Sequence, residues 1–228
     1  MKNMSRIALL IAAIAAVLPA HRVAAQAVPS PQDIITVGTA SGSSVVDVPV
    51  YIRDTSGSPL GLDQPPGSRI QSYSIKVDYA PTTAVQSITF SRAGITSGLT
   101  PTFEVTPSSP GSVSLLDQFP EATNLIPFTL DAIPPGNQIG VLHVTIAPGT
   151  LPGTVINFTL DAALTQLSDE GGSPTTLETT GNARLLLVNG SLTVTAAPAV
   201  PDAIPTLGTW ALLLLAATLA VIALRVRL

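Results

Sequence analysis

The sequence contains no cysteine and only two histidines, and both shortages restrict the chemistry that the chain can carry. Without cysteine, neither a disulfide framework nor a cysteine-ligated zinc cluster can form. His21 falls in a predicted leader, which leaves His143, within IGVLHVTI, as the one histidine of the main domain. A single histidine on a strand is typical of a structural residue. We therefore predict no zinc site, no Ser-His-Asp triad and no enzymatic activity.

Charged residues are also scarce, at 11% of the chain, and they are unevenly distributed. All 14 acidic residues lie between Asp33 and Asp202, whereas only five basic residues lie there, so this region has a net charge of −9. A surface of this sign repels the phosphates of nucleic acids, which excludes nucleic acid as a partner. The same charge attracts basic protein surfaces or calcium.

Aromatic residues make up only 4% of the sequence, and the single tryptophan, Trp210, lies close to the C-terminus. A module that binds polysaccharides usually presents a row of exposed aromatic rings. Tyr73 and Tyr79 alternate in phase with Ile75 and Val77, so we expect them in the core. The sequence is therefore poorly supplied for a polysaccharide platform, although recognition through polar side chains stays open.

The N-terminal residues have the layout of a secretory signal peptide. A basic start with Lys2 and Arg6 precedes a short apolar run, and the small residues of VAAQA follow. We predict a signal peptide over residues 1–27, cleaved after Ala25 or Ala27. An uncleaved anchor is the alternative, and the shortness of the apolar run argues against it.

The C-terminal segment has no charged residue for 18 positions, from Leu207 to Leu224. A helix of this length is about 27 Å long, close to the thickness of the hydrocarbon core of a bilayer. Trp210 suits one membrane interface, and Arg225 and Arg227 suit a stop-transfer signal on the cytoplasmic side. We predict a transmembrane helix over about residues 207–224, with the main domain outside the inner membrane.

The region between the two ends shows the alternation of apolar and polar residues that is typical of half-buried strands. VVDVPVYI at 45–52 and YSIKVDY at 73–79 alternate most clearly, and VQSITF, SVSLL, IGVLHVTI, TVINFTL, ARLLLV and GSLTV continue the pattern. Proline and glycine clusters separate these runs, and no segment has the pattern of an amphipathic helix. The sequence predicts an all-β domain, a β-sandwich of nine or ten short strands.

The best cluster of possible metal ligands is LSDEGGSP, which contains Asp169 and Glu170, together with Asp161 upstream. Oxygen-rich loops between strands bind calcium. However, the segment lacks the alternating D-x-D-x-D-G order, and aspartate and glycine favour turns without any ion. Asp161, Asp169 and Glu170 are therefore calcium candidates, but a solvated turn is the preferred interpretation. We predict no other cofactor.

Three stretches appear in an order that is similar to the cohesin family. They are ITVGTASGSSVVDVPVYI, IQSYSIKVDYAP and GVLHVTIAPGTLPGTVINFTLDAAL…NGSLTV, and together they cover most of residues 33–195. The sequence resembles the cohesin-like and carbohydrate-binding-module-like jelly rolls, although Asp78-Tyr79-Ala80-Pro81 departs from the family's usual corner. The resemblance implies a jelly-roll sandwich of about nine strands and an extracellular partner that is a dockerin-like protein or a glycan.

The tail carries IPTL, followed by a tryptophan, an apolar segment and terminal arginines, and it resembles the IPTL-CTERM sorting signal. The matching residues are Ile204, Pro205, Thr206, Leu207 and Trp210. Gly208 and Ala211 depart from the pattern, in which serine and glycine are common. The resemblance implies recognition by an exosortase-like membrane transpeptidase, and the proline keeps the cleavable backbone extended. A plain membrane anchor is the alternative.

Together these patterns divide the chain into a signal peptide (1–27), a sandwich (33–195), a Pro/Ala spacer (196–203) and a sorting tail (204–228). We expect an exported, non-catalytic binding module of the cell envelope, made as an inner-membrane precursor. The mature form is expected in the periplasm, on the cell surface or outside the cell. The alternative is a carbohydrate-binding or extracellular-matrix module with a plain anchor, and an enzyme fragment is the least favoured class.

Overall fold

The computed structural model describes residues 31–120, 125–170, 178–179, 185–198 and 208–226. Over these residues the chain is mostly β-structure, as the alternation predicts. The strands are β1 (Asp33–Val37), β2 (Thr39–Gly42), β3 (Val45–Arg53), β4 (Ser72–Ala80), β5 (Val85–Arg92), β6 (Phe103–Val105), β7 (Ser108–Ser109), β8 (Ser112–Gln118), β9 (Asn137–Ile146), β10 (Val155–Leu160), β11 (Gln166–Ser168), β12 (Glu178–Thr179), β13 (Leu185–Val188) and β14 (Gly190–Val194). Short 3-10 turns occupy Thr82–Ala84 and Gly94–Thr96, and helix α1 occupies Thr209–Arg225.

The strands form two sheets around a shared core. The five-stranded sheet has the order β13-β1-β3-β9-β5, and the nine-stranded sheet has the order β12-β11-β4-β10-β14-β2, with β8 on the other edge of β4. β6 and β7 both pair with β8. Most neighbours are antiparallel, but β1 pairs with β13 and β2 pairs with β14 in parallel. The first and last strands of the domain are therefore neighbours in both sheets.

The core consists of the apolar side chains that alternate along both sheets. On β3 the residues Val46, Val48, Val50 and Ile52 are buried, and on β4 Tyr73, Ile75 and Val77 are buried. The largest fully buried rings belong to Tyr73, Phe90, Phe119 and Phe158. Burial of each such side chain contributes about 1.5–3 kcal/mol. The inward placement that the sequence predicted for Tyr73 is confirmed, and Tyr79 is half-buried against the same core.

The structure contains more strand segments than the predicted nine or ten because several runs are interrupted. The run from Asp33 to Gly42 leaves the five-stranded sheet after β1 and enters the nine-stranded sheet as β2. β13 and β14 make the same crossing beside it. The two crossings meet at Gly38 and Gly190, where Ser191 N donates to Gly38 O at 3.3 Å. Each interrupted run therefore contributes a strand to both sheets.

Glycine is required at position 190 because the two crossing strands approach each other closely there. A Cβ atom at Gly190 would lie 2.6 Å from Val37 O and closer still to Gly38 O. Both obstacles are main-chain oxygens, which cannot move aside without disturbing the parallel pairing of β1 with β13.

We predict that Gly190→Ala lowers the free energy of unfolding by about 2–4 kcal/mol, because the added methyl group pushes the two crossing strands apart. Urea denaturation followed by circular dichroism measures this change. Gly98→Ala is the matched control, since no atom lies within 4 Å of its added Cβ, and it should change stability by less than about 0.5 kcal/mol. Equal stabilities for the two variants would contradict the close approach.

Candidate functional site

The tail forms helix α1 over Thr209–Arg225, with exposed apolar side chains along most of its length. Arg225 is the last helical residue, where a positive charge is favourable near the negative end of the helix dipole. Trp210 of the predicted motif also belongs to helix α1. The remaining predicted tail and leader residues lie outside the described part of the chain. These are Ala25, Ala27, Ile204, Pro205, Thr206, Leu207 and Arg227.

The predicted transmembrane helix over about 207–224 is not confirmed. Among the residues that the structure describes, no helix combines the length and the apolar content that a membrane crossing requires. Helix α1 has 17 residues.

The outer surface of the nine-stranded sheet carries mostly polar side chains, and we call it the β4 face. It is formed by Ser72, Ser74, Lys76 and Asp78 of β4, Ser112, Ser114, Leu116 and Gln118 of β8, and Asn157 and Thr159 of β10. The register places Lys76 opposite Ser114 and Asp78 opposite Thr159. Alternation along the strands therefore brings charged groups to the centre of this face and serine or threonine around them.

One edge of the β4 face is apolar. Phe103 and Val105 on β6 pair with Gln118 and Leu116 on β8, so their side chains lie on the same face. They are 51% and 40% exposed. Phe103 is the most exposed aromatic side chain among those whose burial the structure describes. One exposed ring at this edge does not form a stacking platform.

Lys76 forms the charged centre of the β4 face. Its Nζ lies 2.7 Å from Asp161 Oδ2 and 3.6 Å from Asp78 Oδ1. The hydrogen bond with Lys76 lowers the pKa of Asp161, and the same bond raises the pKa of Lys76. Asp161 also accepts a hydrogen bond from Ala163 N at 2.9 Å. The negative charge of Asp161, one of the calcium candidates, is therefore already balanced by Lys76.

The other two calcium candidates lie at a separate place. Glu170 accepts a hydrogen bond from Gly67 N and lies 3.8 Å from Arg69 Nε, and Asp169 is likewise engaged in an interaction. Within the described ranges, no three His, Cys, Asp or Glu side chains are grouped as a metal centre. Calcium at Asp161, Asp169 and Glu170 stays a prediction, which this geometry does not favour.

His143 takes part in a polar array on the outer surface of the five-stranded sheet. Its Nδ1 lies 2.6 Å from Asp47 Oδ1 on β3, and its Nε2 lies 2.9 Å from Ser91 Oγ on β5. The register shift in the pairing of β3 with β9 turns Ile139 into the core. His143 points outwards, on the face opposite to Leu142 and Val144. Sequence reasoning missed this array because its members come from three different strands.

Ser91, His143 and Asp47 are hydrogen-bonded in the order of a Ser-His-Asp triad, but they are not enclosed as catalytic triads are. The side chains of His143 and Asp47 are 41% and 62% exposed. A catalytic triad works beside preorganised donors in a site that excludes water. On an open sheet, water competes for every one of these hydrogen bonds. We interpret the array as a cross-strand polar ladder that joins β3, β9 and β5.

Comparison with known proteins identifies the tail. The model of the IPTL-CTERM motif matches residues 202–228, which confirms the predicted motif. Among curated proteins, none matches the sequence.

Comparison of structures identifies the fold. The third cohesin ScaC from Acetivibrio cellulolyticus, solved with the ScaB dockerin, has 19% identity and a TM-score of 0.51, covering 72% of this chain and 100% of that one. The seventh ScaB type I cohesin from Pseudobacteroides cellulosolvens has 18% identity and a TM-score of 0.50, covering 75% and 98%. The domain is a cohesin-like β-sandwich. At these identities the likeness shows the fold alone, and it confirms the fold that the sequence resemblance implied.

The cohesin-like sandwich also contains an acidic cluster that sequence reasoning missed. Asp33 begins β1 and Asp54 follows β3, and both side chains are fully buried. Asp33 Oδ1 accepts hydrogen bonds from Thr55 N and Ser58 Oγ, both at 2.8 Å. Asp54 Oδ2 accepts one from Leu62 N at 2.9 Å. These hydrogen bonds attach the β3–β4 connection to the start of β1 and to the end of β3.

Burial makes the ionised forms of these carboxyls unfavourable. Loss of solvation raises the pKa of Asp33 from 3.8 to about 7, and nearby Asp54 and Asp63 add to the rise. Loss of solvation also raises the pKa of Asp54. In the core, burial raises the pKa of Asp117 to about 6, although Tyr73 donates a hydrogen bond to it at 2.7 Å. The folded sandwich therefore keeps protons on these carboxyl groups at pH values at which the unfolded chain would release them.

We predict that the cohesin-like sandwich loses about 2–4 kcal/mol of stability between about pH 5 and pH 8 in metal-free buffer. The pKa values of Asp33 and Asp117 are higher in the folded state than in the unfolded chain. Their contribution to the free energy of unfolding is therefore complete at pH values below the unfolded-state pKa, and it is lost as the pH rises through about 6 to 7. Urea unfolding at a series of pH values measures the loss. Asp33→Asn should flatten the curve, and a wild-type curve that rises over this range would contradict the assignment.

Proposed function

We propose that this chain is a non-catalytic binding module displayed at the cell surface. The observation that carries the proposal is the combination of a cohesin-like sandwich with an IPTL-CTERM tail. The sorting motif indicates export and a position at the cell surface, and the fold is typical of a module that presents a sheet to another protein. Neither the polar array around His143 nor the β4 face supplies a closed site for chemistry.

The partner that we propose is a dockerin-like protein. Solved structures with this fold include complexes with dockerins, the ScaC cohesin among them. On this chain the β4 face offers mostly polar side chains, an ionic centre at Lys76 and an apolar edge at Phe103. Aromatic side chains are enriched at protein interfaces, so Phe103 would supply an apolar contact to the partner. The excess of acidic residues favours a partner with a basic face.

The tail is the proposed sorting address. An exosortase-like membrane transpeptidase would recognise the motif and cleave close to Thr206, so that the sandwich is released or attached again elsewhere in the envelope. Support comes from the match of the motif over residues 202–228 and from the extended backbone that Pro205 favours. The precursor would be held at the inner membrane, and the mature form would be periplasmic, cell-surface or extracellular.

We predict that Thr159→Arg weakens binding of a dockerin-like partner by about tenfold or more. Thr159 is exposed beside Asp78 at the centre of the β4 face, and the added side chain both obstructs docking and repels a basic partner. Biolayer interferometry of the full-length chain against dockerin-bearing proteins of the same genome provides the measurement.

Thr89→Arg is the matched control for this prediction, because Thr89 is exposed on β5 of the opposite sheet. It should leave the affinity within about threefold of the wild type. Equal losses in the two variants would reject the β4 face. Failure of every such partner to bind at about 10 μM would reject a dockerin-like partner altogether.

The sorting proposal predicts the mass of the mature protein. Intact mass spectrometry of the chain purified from its native envelope should give a C-terminus close to Thr206, with or without an added glycolipid. Substitution of Pro205 by alanine should shift the distribution towards uncleaved protein. A mass that extends to Leu228 in the wild type would instead indicate a plain anchor and would leave the sandwich assignment intact.

A further inference from the structure

Two carboxylates converge on a small space beside Gly61, in the connection between β3 and β4. A Cβ atom at Gly61 would lie 3.3 Å from Asp63 Oδ1 and closer still to Asp54 Oδ1. Because residue 61 is glycine, no side chain of its own fills this space. Both acceptor oxygens therefore face the same point.

The oxygen of Asp54 that faces this space is buried and has no hydrogen-bond partner. The Asp54 side chain is fully buried, and its other oxygen is already used by Leu62 N. A buried acceptor without a partner normally costs about 1–3 kcal/mol, and more if it is charged. A bound water molecule or ion is one explanation for such an atom.

The surroundings are acidic on several sides. Asp33 is also fully buried, with Oδ2 unpartnered, and Asp131 acts on Asp54 from the β8–β9 connection. The positive charge of Arg53 helps to lower the pKa of Asp131. Arg53 Nε, however, donates a hydrogen bond to Ala132 O at 2.8 Å.

Arg69 is the second cation of the region, and it lines a cavity of about 20 Å³ together with Asp54. Its Nε lies 3.8 Å from Glu170 Oε1. Among the described residues, no ion pair joins either arginine to Asp54 or Asp63, and that cavity is separate from the space beside Gly61, since neither Gly61 nor Asp63 lines it.

We propose that the space beside Gly61 on which Asp54 Oδ1 and Asp63 Oδ1 converge binds a calcium ion, with Asp54 and Asp63 as its side-chain ligands. Main-chain carbonyl oxygens and water would complete the coordination, as is usual for Ca²⁺, since two carboxylates alone do not fill six to eight positions. The ligand atoms are all oxygen, which disfavours zinc. The irregular loop suits the flexible geometry of Ca²⁺ better than the strict octahedron of Mg²⁺.

A calcium ion here would join separate parts of the sandwich. Asp54 follows β3, Asp63 lies in the β3–β4 connection and also accepts a hydrogen bond from Gly57 N at 2.7 Å, and Asp33 begins β1. The ion would compensate the buried negative charge and hold this connection in place. Extracellular modules commonly bind calcium at 10⁻⁴–10⁻³ M, a range that suits an exported domain. The site is separate from Asp161, Asp169 and Glu170.

The test uses the full-length chain, treated with EDTA and returned to metal-free buffer. Titration calorimetry with CaCl₂ should show one ion per chain, and about 5 mM CaCl₂ should raise the melting temperature by about 5 °C or more. MgCl₂ at the same concentration should have less than half of this effect. Asp54→Asn and Asp63→Asn should each weaken calcium binding by at least about tenfold.

Asp47→Asn is the matched control, because Asp47 is exposed on the five-stranded sheet and distant in register from the space beside Gly61; its calcium affinity should equal that of the wild type. Asp63 is exposed, so Asp63→Asn keeps the buried packing and folds even if Asp54→Asn does not. Absence of calcium binding in the wild type would overturn the proposal. Unchanged affinity in Asp63→Asn would overturn it as well, whatever the outcome of the partner experiments.

Discussion

The close contact between Gly38 and Gly190 is the constraint on which the sandwich depends. At this point two strand runs pass side by side from one sheet to the other, and their main chains approach too closely for any side chain. Each run therefore belongs to both sheets, and the parallel pairs β1–β13 and β2–β14 hold the sheets in a common frame. The apolar core fills the space that this frame encloses.

Because the core takes every second residue of the strands, the remaining residues form two outer faces with different chemistry. The β4 face carries small polar side chains around Lys76, whereas the opposite face carries the ladder of Asp47, His143 and Ser91. The connection between β3 and β4 adds a third feature, since it brings buried carboxylates to one end of the domain. The fold thus places the proposed docking surface apart from the buried carboxyl groups whose protonation affects stability.

The period-two alternation was sufficient to predict the fold class, the inward side of β3 and β4, and the all-β character of the main domain. It could not predict the crossings at Gly38 and Gly190, because a strand that changes sheets keeps the same alternation. The inward position of Ile139 depends on a register shift between β3 and β9, which leaves no local pattern.

The acidic cluster was missed because Asp33, Asp54, Asp63 and Asp131 are distributed over nearly a hundred residues, and the sequence search favoured the adjacent pair Asp169 and Glu170. In the tail, the uncharged run predicted a spanning helix over about residues 207–224, whereas α1 occupies Thr209–Arg225.

The position of the last strand has a mechanical consequence. β14 lies between β10 and β2, and the chain leaves it towards the tail. If the tail is tethered to the envelope while a partner pulls on the sandwich, the load acts along the axis of β14. Its hydrogen bonds to both neighbours then resist in shear, all at once, rather than opening one after another. A module that is anchored through β14 therefore carries tension along the direction in which its strand pairing resists most strongly.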